Sequence, residues 1–267
     1  MFHLSPSRLQ SYSKCGLAYR LEKILRVPQR AAAWFVQGSA VHEALEAYEC
    51  SHRCLSVAEA VNIFHASWDK ILAESRRQQP DESMWMVGGR KKLETDLTQR
   101  RAAGAQQVAD YIGARPPGGG LAPTHFTPDT IAVEVGFDLD FDGVRVLGYI
   151  DVVHEAEDGR LIPEDWKTGA HMPADPYQLA TYRWAIHHVT GEAPDWGQFW
   201  MCRENKAHRV DLRPYTWERV CGWYRDLAAG IEAGVFLGNP GDHCFTCTVR
   251  PYCDAVQPYP LTLMEAA

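Results

Sequence analysis

The chain has no apolar run near the roughly 20 residues that a bilayer-spanning helix needs, so the sequence holds no candidate span. Its N-terminus, MFHLSPSRLQSYSKC, lacks the basic-then-apolar layout of a secretion signal, and a cytoplasmic location is expected. Eight cysteines in 267 residues without such a signal argue against a disulfide framework. Metal or cluster ligation is the better use for some of them. Net positive charge is also lacking: 27 Lys and Arg face 34 Asp and Glu, a formal charge of −7. Taken alone, that disfavours a nucleic-acid partner, because phosphate contacts need cations. The exclusion is weak, since acidic metal sites contribute to the balance and basic clusters are present. These are Arg76–Arg77, Arg90–Lys91–Lys92, Arg100–Arg101, and the group Arg203, Lys206, Arg209 and Arg213. No internal repeat or low-complexity tail is visible, and 46% hydrophobic with 23% charged residues is ordinary globular composition.

What is present begins with helices. Ser5 or Ser7 can cap a short helix running to about Cys15. Residues 34–50 place Val41, Leu45 and Tyr48 on one stripe, with His42 and Glu46 an i, i+4 pair. Segments 56–78 and 83–113 read as longer amphipathic helices, and PPGGGLAP at 116–123 as the loop that ends the helical part. Three strands follow, at 131–141, 144–156 and 160–168, joined by hairpin turns at Asp142–Gly143 and Glu157–Gly159. A helix over about 175–190, strands at 196–202 and 207–212, and a helix at 214–233 complete the pattern. The expected class is α/β: antiparallel hairpins, helix and strand, behind a helical N-terminal section. One domain over 1–267 is expected, divided into 1–120 (helical), 121–213 (core) and 214–267 (helix and cysteines).

Asp165 and Lys167 are two apart on a strand, so their side chains share a face. A short hairpin can bring Asp151 beside Asp165. Converging carboxylates repel unless a cation sits between them. Hard divalent ions such as Mg²⁺ or Mn²⁺ suit such oxygen ligands. A lysine beside the pair suits phosphodiester chemistry, orienting water or stabilising charge on the phosphate. Apolar neighbours Ile150, Val152 and Trp166 place these strands in a core, where charges are costly without a task. Glu164 points to the opposite face and is left out of the ligands. A register slip of one would bring it into competition.

Cys244, Cys247 and Cys253 lie within ten residues in CFTCTVRPYC, and Cys15 stands alone near the start. Four thiolates suit zinc or an iron–sulfur cluster. Zinc sites more often use paired Cys-x-x-Cys knuckles than one distant cysteine plus three. Cys50, Cys54, Cys202 and Cys221 read as buried free cysteines.

Gly148-Tyr-Ile-Asp151 followed by Glu164-Asp165-Trp-Lys167-Thr-Gly169 resembles the PD-(D/E)XK nuclease superfamily. The nearest branch is the RecB-like exonucleases, including the CRISPR-associated Cas-four group and AddB-type domains, with phage-encoded relatives. The likeness runs from Ser5 to Cys253 and implies a restriction-endonuclease-like core. Gly38-Ser-Ala-Val-His42 resembles the family's helical motif, whose histidine is a metal ligand. Asp151 and Asp165 match the two carboxylate ligands, and Lys167 the catalytic lysine. The Trp166 carbonyl is implied as a further ligand. Gln178 and Tyr182 resemble a Gln-x-x-x-Tyr motif that helps position DNA. Cys15, Cys244, Cys247 and Cys253 match the cysteines that bind a structural [4Fe-4S] cluster. Two positions depart from the pattern: Ile150 stands where the superfamily's name has proline, and Gly16 where relatives often have proline after the first cysteine.

The resemblance implies a Mg²⁺- or Mn²⁺-dependent DNA exonuclease acting on single-stranded ends, in bacterial cytoplasm or, if phage-encoded, in that of the host. A structure-specific endonuclease and a non-catalytic DNA-end-binding or adaptation accessory protein are the alternatives. Polarity, RNA preference, oligomeric state and pathway stay open. Protein partners in CRISPR adaptation or recombination, and a role in phage DNA processing, stay open with them.

Overall fold

The computed structural model describes residues 3–119, 121–127, 130–258 and 260–261. Among them, no helix is long and apolar enough to cross a membrane. The chain opens with α1 (Pro6–Lys14) and α2 (Gly16–Tyr19), then a π-helical turn, Arg20–Ile24. The helical section continues through β1 (Ala31–Ala32), α3 (Ala33–Cys50), α4 (Val57–Gln78), β2 (Trp85–Met86) and α5 (Leu93–Ala114). Short strands β3 (Ala122–Pro123), β4 (His125–Thr127) and β5 (Thr130–Ile131) lead into β6 (Val133–Phe141), β7 (Val144–Glu155) and β8 (Leu161–Lys167). Helix α6 (Tyr177–Thr190), β9 (Trp196–Met201), β10 (Lys206–Asp211) and α7 (Trp217–Glu232) follow.

Local chemistry explains the helix starts. Ser5 accepts from the Arg8 N–H and Pro6 opens α1. Ser56 and Glu59 form a reciprocal capping box on α4, and Thr216 caps α7. One boundary differs from expectation. The helix foreseen at 83–113 begins only at Leu93. Asp81 caps a 3₁₀ turn, the buried Trp85 donates its indole N–H to the Gln79 carbonyl, and Gly89 takes φ 72°. The helical period is broken there, and β2 pairs parallel with β1 instead. The loop expected at 116–123 holds β3 at its end and includes Gly120, which lies outside the described residues.

The sheet has six strands in the order β10-β9-β8-β7-β3, with β6 also paired to β7. Pairings are antiparallel except β8 with β9, which run parallel because α6 carries the chain across between them. Two cores flank the sheet. One holds α1, α6 and α7 against residues such as Val146, Ile150 and Phe199. The other holds α3, α4 and α5 against Val133, Val152, Trp166 and Trp200. Packing of the helical section is close at Gly104, where a Cβ would lie 2.5 Å from the Phe64 ring.

Buried ion pairs fasten this section internally and to the sheet. Arg53 and Tyr111 both donate to Glu49. Arg115 donates to Glu164 (2.6 Å) with its guanidinium 4.6 Å from the Trp200 ring centre. Such pairs hold only where every partner is satisfied, which favours one docking geometry. Cys202 and Cys221 are buried as expected. Cys50 and Cys54 are exposed, contrary to expectation, because the end of α3 and the turn after it face solvent.

Candidate metal centre

The pleat of β7 breaks near Asp151. Ile150 and Val152, two apart, would share a face in a regular strand, yet they pack into different cores. Opposite this point on β6, Glu134 has φ 47°, an uncommon backbone for a residue with a side chain. Such irregularities re-aim side chains and gather at functional sites. Here the result is a convergence of acids beneath α3.

His42 projects from α3 into this point. Its Nε2 lies 2.9 Å from the Trp166 carbonyl, which can only accept, so Nε2 carries the proton. Its Nδ1 faces Asp151 Oδ2 at 3.7 Å and Glu134 Oε1 at 3.9 Å. Among the described residues, His42, Glu134 and Asp151 form the group whose ligand atoms lie within 4.8 Å of one another. The Trp166 N–H donates to Asp151 Oδ2 at 2.8 Å, tying β7 to β8 at the site.

Asp165 stands just outside that group. Its carboxylate is drawn to Lys167 Nζ, 2.6 Å away. Both of its oxygens are buried, and Lys167 is the ion-pair partner that faces them. Lys167 also donates to Gln178 Oε1 (2.9 Å), and the Gln178 amide donates to the Tyr182 hydroxyl (2.7 Å). One turn of α6 thus joins both residues to Lys167 in a single chain. Glu164 points the other way, as the strand period requires. It binds Arg115, His154 and the Trp166 indole, and the register slip does not occur.

The titration pattern follows from this crowding. Burial, then the nearby Asp165 charge, pushes the Asp151 carboxyl up to about 7. Burial also raises Asp165, against the pull of Lys167. Burial works against the His42 imidazolium, but Asp151, Glu134 and Asp165 outweigh it and hold its pKa at about 9. The imidazolium and the Lys167 ammonium therefore balance an excess of carboxylates. An oxygen-rich pocket in which carboxylates outnumber cations suits a hard divalent cation.

A PD-(D/E)XK nuclease superfamily model matches residues 3–254. The chain belongs to the PD-(D/E)XK nuclease superfamily. Two phage proteins resemble it along nearly their whole length. The "Gene 69 protein" of Mycobacterium phage D29 is 34% identical over 261 residues, covering 93% of this chain and 95% of that protein. The "Gene 69 protein" of Mycobacterium phage L5 is 32% identical over 277 residues, with the same coverage. Membership makes the chain a nuclease, and its mixed sheet with flanking helices agrees with a restriction-endonuclease-like fold. Glu134 is the site residue that the sequence reading missed. A usable signal existed: register counted back from the Asp142–Gly143 turn sets Glu134 opposite Asp151.

At the far end of the nuclease, the tail returns to the N-terminus. The Leu17 N–H donates to the Leu237 carbonyl (3.1 Å), and the Asn239 amide to the Lys14 carbonyl (2.9 Å). Cys15 and Cys244 each accept a backbone N–H on sulfur at 3.4 Å, from Asn239 and Gly241. Cys247 and Cys253 sit in a small core with Leu21, Val27, Val249 and Tyr252. Burial raises the Cys247 thiol, and the other three sulfurs are close enough to add to that rise. Among the described residues, no three of these sulfurs lie within 4.8 Å of one another. Tetrahedral zinc would need sulfurs about 3.8 Å apart, as its Zn–S length dictates. The four cysteines share one neighbourhood without closing on an ion of that size.

Proposed function

We propose that this nuclease hydrolyses phosphodiester bonds in DNA, working inward from single-stranded ends with Mg²⁺ or Mn²⁺. The observation that carries the reading is the crowding of buried Asp151 and Asp165 beside Glu134, with Lys167 paired to Asp165 at 2.6 Å. The three carboxylates outnumber the Lys167 and His42 cations, and a divalent cation or a proton relieves the excess. Asp151, Asp165, the Trp166 carbonyl and His42, through Nδ1 once the ion has displaced its proton, would hold the ion, with Glu134 within reach of it. When bound, it supplies Lewis acidity and a coordinated water of lowered pKa.

The chain's own groups do the rest. Lys167 places its ammonium next to the carboxylates, where it orients the nucleophile or meets charge on the phosphate. Gln178 and Tyr182 hold Lys167 in place, and Gln178 lies at the mouth of a groove over the β6–β7 hairpin. The exonucleolytic, single-strand reading rests on the resemblance to RecB-like and Cas-four-type enzymes. The phage relatives favour DNA processing in an infected cell as the setting.

The [4Fe-4S] cluster is part of the same proposal. Supporting it are four sulfurs in one neighbourhood, two N–H donors to sulfur and an apolar shell. Cys15, Cys244, Cys247 and Cys253 would hold it, pinning the tail to α2. Its role is structural.

A cleavage assay on single-stranded DNA labelled at either end tests the reading, with Mn²⁺ or EDTA, for wild type and Asp165→Ala. The expected result is metal-dependent loss of label in wild type only, with circular DNA resistant. Cleavage retained in Asp165→Ala overturns the site. Cut circles replace the exonuclease with an endonuclease. A folded, cluster-loaded wild type that never cleaves points to a binding role.

A further inference from the structure

On the α3–α5 side of the metal centre lies a polar cleft of about 580 Å³. One wall is Thr168 and Gly169, the residues directly after Lys167. The opposite wall includes Gln37, one turn of α3 before His42.

The lining is unusual for so acidic a chain. Lys91, Arg100 and Arg203 all face the cleft. Two acids are there as well, but both are engaged. Asp96 is fully buried and accepts the Gly88 N–H and the Arg100 guanidinium, while Asp110 accepts the Gln106 amide. Arg203 is exposed, in the turn between β9 and β10, and among the described residues it makes no hydrogen bond or ion pair. Trp34 is half-buried at the rim, with the Arg100 guanidinium 5.7 Å from its ring centre. Lys91 donates to Gln99 and lies 4.0 Å from Asp96, which leaves Arg203 as the cation without a partner among the described residues. A half-buried indole in the same cleft as that arginine suits an unpaired nucleotide, whose base stacks and whose phosphate needs a positive partner.

A line of amides connects this cleft to the chemistry. Arg100 donates to Gln37 Oε1 (3.2 Å), Gln37 to Gln107 Oε1 (2.8 Å), and Gln107 to the Thr168 carbonyl (3.2 Å). Gln37 and Gln107 are both buried, so these bonds hold the segment after Lys167 at a fixed height.

Resting on the nuclease reading above, we propose that this cleft is the subsite for the nucleotides next to the scissile phosphate of a single DNA strand. Trp34 stacks one base, Arg203 and Lys91 meet the phosphates, and the Gln37–Gln107 ladder positions the strand relative to Lys167.

The test is binding of a fluorescein-labelled oligo-dT 12-mer, followed by anisotropy across a salt series with Ca²⁺ replacing Mg²⁺. The variants are Arg203→Ala, Trp34→Ala and, as a control on the opposite side of the fold, Arg225→Ala. Arg203 is exposed, so its loss leaves folding intact. Trp34→Ala is expected to weaken binding roughly tenfold or more, the scale of one lost stacking platform. Arg203→Ala is expected to lower the salt slope by about 1, and Arg225→Ala to change neither. Wild-type affinity and slope in both cleft variants overturn the proposal, as does a wild type that binds no strand. A wild type that binds as described but never cleaves with Mn²⁺ sinks the nuclease reading and leaves the subsite standing. Cleavage with unaltered binding in the variants does the reverse.

Discussion

Glu164→Gln removes one charge, keeps the side-chain shape, and separates stability from chemistry. Glu164 is fully buried on β8 and accepts from Arg115 at 2.6 Å, the Trp166 indole at 3.2 Å and the Gln198 amide. His154 Nε2 lies 3.3 Å away. Burial alone would raise this carboxyl, but His154, Arg115 and Gln198 overcome it and hold the pKa down at about 2. A depressed carboxylate contributes stability that is present above its unfolded value, near 4.3, and is lost as pH falls towards 2. The neutral amide forfeits that contribution at every pH above the window and leaves the Arg115 guanidinium buried without a counter-ion. Removing one partner of a buried pair costs about 3–5 kcal/mol, against a total of about 5–15 kcal/mol for a domain. Urea unfolding at pH 7 should show the unfolding free energy falling by that amount, through a lower midpoint at constant slope. The folded fraction should still cleave, because Glu164 faces away from the metal centre. A stability loss under 1 kcal/mol would refute the network argument. Unchanged stability with lost cleavage and metal affinity would make Glu164 a ligand and the strand register wrong.

Three further outcomes are expected. Gln178→Ala frees Lys167 and should lower kcat by less than Lys167→Ala does, with KM little changed; equal losses would make Gln178 itself a catalytic group. Gly104→Ala drives a Cβ into the Phe64 ring. Overpacking of about 1–3 kcal/mol should exceed the roughly 1 kcal/mol gained in helix propensity, read as a lower thermal midpoint. Cys15→Ser in protein purified without oxygen should lose bound iron and visible absorbance; full iron content in that variant would remove Cys15 from the cluster.

Much of the fold was legible because hairpins are local. The Asp142–Gly143 turn fixes register, so strands β6 to β8 and the shared face of Asp165 and Lys167 follow from spacing alone. The first helix start, at Ser5, was legible for the same reason, since a cap needs only three residues of sequence, whereas the helix expected from 214 starts after its cap Thr216. The delayed start of α5 was not legible. It depends on β2 pairing with β1, Trp85 beside Ala31, a contact between residues 54 apart.

The metal centre divides along the same line. Residue types and strand period put Asp165 and Lys167 on one face, with Asp151 a hairpin away. They also put His42 beside the apolar stripe of its helix, paired with Glu46. Only the tertiary structure decided that Glu134 joins them, because that requires a left-handed backbone at one residue and a broken pleat opposite it. It likewise decided that Gln178 and Tyr182 serve Lys167 through one hydrogen-bonded chain, and that the four distant cysteines gather at one end. Periodicity tells which way a side chain faces within its own element. What it meets there is set by how separate elements dock, and docking follows buried area and paired charge contributed from the whole chain.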